Sequence, residues 1–320
     1  MIDVAFITGS SGKIGKALVA NLIEKKIVVI GIGRFSEDSS ISIKIFQNKK
    51  NNVNIDNSLS LNEWTICEEN NLLNLLHFVK DSSIKSYFFH LAWEGASALT
   101  DGGYKNQIYN VGLSAKYLDL SKTLGAIKFI NAGSVDEIYI NKCIQSKNYN
   151  KMKDFEHLEY GVAKLATRDI LSFKSYVENI DFIHTQTSIG ISTDLKSKNF
   201  VERNLKNIVN GQGYEQPKNK ELCNISTFDN IAKKLYNIAL LGDNQKNYYT
   251  GTDEAYTLKY FFNAFDNLIK GTPIGLSSNQ IIDDQILTYE DFEISEHLEK
   301  NNNEVKNMNL SNLLKSIQIS

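Results

Sequence analysis

The chain has 320 residues, 42% of them hydrophobic, enough to bury one large core and a smaller second lobe, so it reads as globular. Its 35 basic and 37 acidic side chains are interspersed and leave a net charge of −2, with no electrostatic footprint for nucleic acid or an anionic membrane. Cys67, Cys143 and Cys223 show neither a metal-ligand spacing nor an even-numbered disulfide framework, and no apolar run reaches the roughly 18 residues that span a bilayer.

The N-terminus is the most informative stretch. An apolar run of strand length (2–7) meets Gly9, Gly12 and Gly15, and residues 13–24 then show helical periodicity, with Ile14, Leu18, Leu22 and Ile23 on one face. A second β-branched run, 27–32, completes a strand–helix–strand unit of the size needed for a helix to cross between parallel strands. Glycine has a physical job at each position. Gly9 permits the tight turn, Gly12 lets main chain approach a phosphate, and Gly15 lets the helix pack closely. Free N–H groups at the helix start would then hold a pyrophosphate.

Residues 35–62 are polar and asparagine-rich except for 41–46, whose alternation predicts a short strand. Helices are expected at 72–79, 104–124 and 156–176, and strands at 87–92, 127–131 and 180–191, the last broken at Gly190. Strands alternating with such helices imply a doubly wound (Rossmann) parallel sheet, with helices on both faces. Beyond about residue 190 the pattern turns irregular, with helices at 200–210, 228–241 and 257–269 and short strands near 222–226 and 247–250. The expected organisation is a dinucleotide-binding domain of residues 1–185 that also receives about 222–245. A smaller C-terminal α/β substrate-binding lobe would comprise 186–221 and 246–320.

Tyr160-Gly-Val-Ala-Lys164 lies within one of the long helices, where a spacing of four sets both side chains on one face. A lysine ammonium favours the phenolate, so such a pair can serve as a general acid/base. His90 reads as a strand residue with a satisfied side chain.

The motifs together carry a resemblance. Thr8-Gly9-Ser-Ser-Gly12-Lys-Ile-Gly15, Phe89-His-Leu-Ala-Trp93, Asn110-Val111, Ala132-Gly-Ser134, Tyr160 with Lys164, Thr227-Phe-Asp229 and Asn309-Leu-Ser-Asn-Leu-Leu314 occur in the order seen in extended short-chain dehydrogenases/reductases acting on nucleotide sugars. The chain resembles that family along essentially its whole length. The resemblance implies Tyr160 as proton donor or acceptor, Lys164 as its pKa partner and ribose ligand, and Ser134 as the hydroxyl that orients the substrate carbonyl. It implies a cofactor site of Gly9, Ser11, Gly12, Lys13, Ile14, Gly15, Arg34, Leu91, Ala92, Trp93 and Asn110, with Tyr160 and Lys164. Trp93, Ser134, Asp136 and Asn199 would contact substrate, and a homodimer is expected.

Two registers compete around Ser134. Aligning Glu137-Ile138 on the Glu-Tyr of some deoxysugar reductases makes Ser134 the catalytic hydroxyl, the register preferred here. Aligning Ile138-Tyr139 on the commoner Val-Tyr-Gly puts Val135 there. It also sets Asp136 and Glu137 where 4,6-dehydratases keep an acid/base pair, without its accompanying threonine. The family's Tyr-Gly-Pro appears as Ile189-Gly-Ile191, and the Asp of the adenine-contacting loop is not visible near Cys67. At the end of the second strand, where Asp or Glu would bind the ribose diol of NAD, the chain has Gly33 and Arg34. Loss of the carboxylate and gain of a guanidinium favour NADP, with NAD the alternative. The reading is an NADP(H)-linked reductase of a nucleotide-activated keto-deoxysugar, hydride going to C4. A nucleotide-sugar 4-epimerase is the alternative, then a 4,6-dehydratase, and, from another class, a non-catalytic dinucleotide-binding sensor. No cationic stretch precedes the first strand, and heavy use of Asn, Lys and Ile points to an AT-rich bacterial gene. A cytoplasmic protein is expected.

Overall fold

The computed structural model describes residues 2–33, 41–46, 59–61, 84–95, 103–196, 199–252, 254–273, 285–293 and 309–317. The helix expected at 72–79, together with Arg34 and Cys67, lies outside them.

In chain order the main elements are β1 (Val4–Thr8), α1 (Lys13–Glu24), β2 (Val28–Gly33), β3 (Ile41–Phe46), β4 (Leu59–Leu61), β5 (Ser86–His90) and α2 (Gly103–Thr123). There follow β6 (Lys128–Ala132), α3 (Val135–Gln145), α4 (Tyr149–Lys153), α5 (Leu158–Glu178), β7 (Asp181–Gln186) and β8 (Ile189–Ile191). The last part contributes α6 (Phe200–Val209), β9 (Leu222–Cys223), β10 (Ile225–Thr227), α7 (Phe228–Leu241), β11 (Lys246–Tyr249), β12 (Tyr256–Thr257), α8 (Leu258–Ile269) and α9 (Leu310–Ser316).

The main sheet has the order β11-β7-β6-β5-β1-β2-β3-β4. The first six strands are parallel, as a Rossmann fold requires. Strand β3 breaks the pattern by pairing antiparallel with β2. Its connection, residues 34–40, is too short for the dozen or more residues that a parallel crossover needs. The chain steps outward from β1 to β2 and later returns to β5 on the other side of β1. That reversal is the switch point where open α/β sheets hold ligands, beyond the carboxyl ends of the strands. Residues 180–191 form two strands rather than one, with β8 leaving to pair with β10. Lys246–Tyr249, expected within the second lobe, instead pair with β7 as the far edge of the main sheet. Helix α3 was not anticipated.

Alternation along the strands divides the core into two layers. Ala5 and Ile7 face α1 and α7 through Leu18, Leu22, Ile231, Leu235 and Ile238, while Val4 and Phe6 face α2 and α5 through Leu113, Tyr117 and Leu171. On the second face the register aligns Phe6, Phe88, Phe129 and Phe182 across four strands, with stacked rings 6.1, 5.3 and 6.4 Å apart. Two residues further along each strand, the same register aligns Thr8, His90, Asn131 and His184. This apolar rung followed by a polar one sets the floor of the crevice. A third cluster joins α6, α8 and α9 through Leu205, Phe261, Phe262, Phe265, Leu313 and Leu314. Among the described residues no helix is long and apolar enough to cross a membrane.

Candidate active site

At the end of β1 the chain turns through Gly9, whose φ is +70°. A Cβ on Gly9 would lie 2.8 Å from the Ala92 amide nitrogen, and one on Gly15 only 2.2 Å from the Gly9 carbonyl oxygen. The turn, the start of α1 and the loop after β5 therefore touch through backbone alone. Gly12 caps α1 without any side-chain hydrogen bond, its own N–H donating to the Gly9 carbonyl at 2.9 Å. Ser11, Gly12 and Lys13 are exposed and Ile14 half-buried. The first N–H groups of a 12-residue helix thus point outward uncapped, which is an anion site. Ser10 Oγ beside it is buried without a protein partner. A pyrophosphate fits this turn.

The loop after β5 is tied down from two sides. Thr8 Oγ1 accepts the amides of Leu91 and Ala92 at 3.1 and 3.3 Å. The Asn110 side chain accepts from the Glu94 amide at 2.8 Å and donates to the Glu94 carbonyl at 3.0 Å. Behind them, Thr8 Oγ1 bonds His90 Nδ1 at 2.8 Å, and His90 Nε2 bonds Ser114 Oγ at 2.9 Å. Ser114 Oγ donates to the Asn110 carbonyl, so the chain is consistent with Thr8 donating to Nδ1 and Nε2–H donating to Ser114. Burial, with the Lys164 charge adding to it, lowers the His90 pKa to about 3 and keeps the ring neutral. His90 is a satisfied structural residue.

The opposite wall carries the titratable groups. Ser134 ends the β6 segment and caps α3, its hydroxyl accepting the Asp136 amide at 3.2 Å. Tyr160 follows on α5, and its phenol pKa responds to the Ser134 hydroxyl. Four residues along α5, Lys164 Nζ donates to the Ala132 carbonyl at 2.8 Å and lies 3.7 Å from the centre of the Trp93 ring. Trp93 meets the Tyr160 ring edge-on, 5.8 Å between centroids at 83°, and its indole N–H donates to Gln107 Oε1 at 3.1 Å. Burial, and then the Asp136 charge, push the Tyr160 phenol well above its usual pKa, while the Ser134 hydrogen bond pulls it back. Burial lowers Lys164 to about 7, against the opposing pull of Glu137 and Asp136.

Asp136 and Glu137 have separate fates. Asp136 faces the rim, bonded to His157 Nδ1 at 3.1 Å, and this contact outweighs burial to raise the His157 pKa. Glu137 is fully buried and accepts from His184 Nε2 at 2.6 Å, from Gln186 at 3.4 Å and from the Ser134 amide at 3.4 Å. Burial pushes its carboxyl up, but the adjacent His184, helped by Arg168 and Lys164, more than offsets this and holds it ionised. Asn131 Nδ2 completes the set on His184 Nδ1 at 3.0 Å. Only glycine fits at Gly133, where a Cβ would fall 2.2 Å from His184 Nε2. Val135 points elsewhere, packed with Tyr139, Ile140, Tyr249 and Phe292.

The structure thus brings Ser134, Asp136, Tyr160, Lys164 and Trp93 together and sets the glycine turn against the loop that carries Trp93. Asn199 is used locally, capping α6 through the Glu202 amide at 2.7 Å and donating to the Gly190 carbonyl at 3.2 Å. Glycine at position 33 closes β2, the last described residue of that strand. Sequence reasoning missed His184 and Gln107. The signal for His184 was its place two residues beyond Phe182, on the same face of β7.

A glycine turn at the switch point facing a Ser/Tyr/Lys set defines the extended short-chain dehydrogenase/reductase class. The chain belongs to the NAD dependent epimerase/dehydratase family, whose model matches residues 5–220, and is an enzyme of that type. In structure it is similar to a UDP-glucuronic acid 4-epimerase mutant from Bacillus cereus, solved with a fluorinated UDP-sugar and NAD (14% identity, 98% and 97% of the two chains, TM-score 0.63). It is also similar to UDP-glucose 4-epimerase from Thermotoga maritima (17% identity, 84% and 82%, TM-score 0.56). A third likeness is to dTDP-glucose 4,6-dehydratase from Bacillus anthracis, in complex with NAD (13% identity, 85% and 82%, TM-score 0.53). No curated protein matches the chain in sequence.

Proposed function

We propose that the protein reduces the C4 keto group of a nucleotide-activated deoxysugar with NADPH. The observation that carries this reading is the Ser134–Tyr160–Lys164 set at the carboxyl end of the sheet, opposite the uncapped start of α1. A dinucleotide held at Gly9–Gly15 would supply the hydride. The chain's own residues handle the oxygen. Ser134 hydrogen-bonds the carbonyl and Tyr160, a neutral half-buried phenol, gives its proton as negative charge develops there. Lys164, when protonated, stabilises the phenolate left behind and can hold a ribose hydroxyl. Gly33 at the end of β2 brings no carboxylate of its own against a 2′-phosphate, and Arg34 next in sequence would pair with it.

The burial of Glu137 against His184 and of Val135 among apolar side chains counts against a 4,6-dehydratase. The likeness to two 4-epimerases keeps a 4-epimerase as the second reading. Ile170, Phe173 and Val177 leave an apolar stripe exposed on α5, which supports a homodimer, to be read by size-exclusion chromatography with light scattering.

The deciding experiment titrates NADPH and NADH by fluorescence of the reduced nicotinamide and assays nucleotide-linked 4-keto-6-deoxyhexoses beside nucleotide hexoses. Stoichiometric NADPH consumption with the keto sugar is expected. Tightly co-purifying NAD, with interconversion of C4 epimers and no net redox change, would establish the epimerase instead.

A further inference from the structure

We propose that Trp93, clamped by Gln107, is a positioning residue that keeps the Lys164 ammonium charged and the Tyr160 ring turned toward Ser134. The proposal deepens the hydride-transfer reading and rests on it for its catalytic consequence, though the interaction itself is testable without cofactor.

One indole makes three directed contacts. Its face lies 3.7 Å from Lys164 Nζ, well inside the roughly 6 Å at which a cation is attracted to a ring quadrupole. Its edge meets the Tyr160 ring at 83°, the favoured T-shaped geometry, which limits rotation of the phenol away from Ser134. Its N–H is bound by Gln107, which is buried on α2. The ring is therefore fixed from a different element than the two groups it touches.

Lys164 needs such a partner because its surroundings oppose its charge. Burial lowers its pKa to about 7, and among the described residues the Ala132 carbonyl is the one acceptor that takes a hydrogen bond from its three N–H groups. Asp136 and Glu137 face it from α3, but each is also engaged by its own imidazole, His157 and His184. The neutral His90 faces it from β5 and Tyr160 lies on its own helix, with Arg168 one turn further acting on Glu137. Beside the Ala132 carbonyl, the Trp93 face stabilises the ammonium without bringing in a titrating group. An aliphatic side chain there would bury Lys164 equally and attract it not at all.

The test uses the cofactor-free protein first. A buried lysine whose folded pKa lies below its unfolded value makes stability rise with pH between the two, so the onset of that rise reports the folded pKa. Thermal unfolding from pH 6 to 9 is compared for wild type, Trp93→Leu, Trp93→Phe and Gln107→Met, each with and without Lys164→Met. In Trp93→Leu the Lys164-dependent rise should begin about 0.5–1.5 pH units lower. Trp93→Phe, which keeps a ring face, should fall between, and Gln107→Met should shift the same way by less. In the loaded enzyme the basic limb of kcat/KM should move down in the same order. An unmoved onset in Trp93→Leu would overturn the proposal. Should that variant not fold, Trp93→Phe and Gln107→Met decide it in the same terms. Full turnover in Tyr160→Phe would end the hydride-transfer reading while leaving the cofactor-free titration to stand or fall separately.

Discussion

The two walls of the crevice are built from different material. On the side of β1 and α1 the surface is main chain, and its close contacts, 2.8 and 2.2 Å from where side chains would begin at Gly9 and Gly15, exist because atoms are missing. On the side of α3 and α5 it is a set of polar side chains, bonded from Asn131 through His184 to Glu137, which in turn accepts from the Ser134 amide, with Tyr160 and Lys164 beside them on α5. The glycine wall is therefore broken by adding atoms and the polar wall by removing them. A backbone cradle suits a ligand whose phosphates are bound by amides, whereas proton transfer needs groups with tunable pKa values.

The largest expected effect comes from adding atoms. Gly15→Val would drive a branched side chain into the Gly9 carbonyl and should cost roughly 3 kcal/mol or more, read as a lowered unfolding midpoint in denaturant. Gly12→Val sharpens the contrast, since its Cβ would lie 3.2 Å from the same oxygen, a tight contact that a shift of a few tenths of an ångström relieves. That protein should stay folded by circular dichroism yet lose dinucleotide affinity. Normal affinity would reduce the glycine motif to a turn.

On the polar wall, Tyr160→Phe should lower turnover by roughly 10²-fold or more while dinucleotide binding stays within a few-fold. Stopped-flow reduction assays alongside fluorescence titration check both halves. Ser134→Ala should lower turnover strongly and also cost about 1 kcal/mol, because the same hydroxyl caps α3. Val135→Ala should cost roughly 1–2 kcal/mol in packing and leave turnover near wild type. The reverse ranking would favour the register that puts Val135 at the substrate.

The smallest effect concerns pH. The folded pKa of Lys164, about 7, lies below the ordinary lysine value of 10.5, so the unfolded chain binds the extra proton between those values and the Lys164 contribution to stability grows as pH rises through that window. Unfolding of wild type should therefore gain on that of Lys164→Met between pH 7 and 9. A constant difference would mean that the ammonium is better solvated than its burial implies.

The parts legible in the sequence are those whose information is local. Strands β1 and β2, with α1, α5, α7 and α8, carry clear periodicity, and the Tyr160/Lys164 spacing sits within a single helix. Where two distant segments must meet, the chain was silent. The antiparallel pairing of β3 depends on the length of a connection, and β11 joins the sheet only because β7 offers it an edge. Helix α3 is hidden in the sequence because Ser134 and Glu137, which form its capping box, coincide with the residues that carry the chemistry. The Glu137–His184 bond spans 47 residues, and no spacing announces it.

The polar rung has a spectroscopic consequence. His90 has one partner for each ring nitrogen and is almost fully enclosed, so it should hold a single tautomer whose N–H proton exchanges slowly with solvent. Such a proton resonates far downfield of the backbone amides. Because Thr8 bonds both that ring and the amides of Leu91 and Ala92, the resonance would broaden whenever the loop after β5 lifts away, giving the crevice its own magnetic gauge of opening.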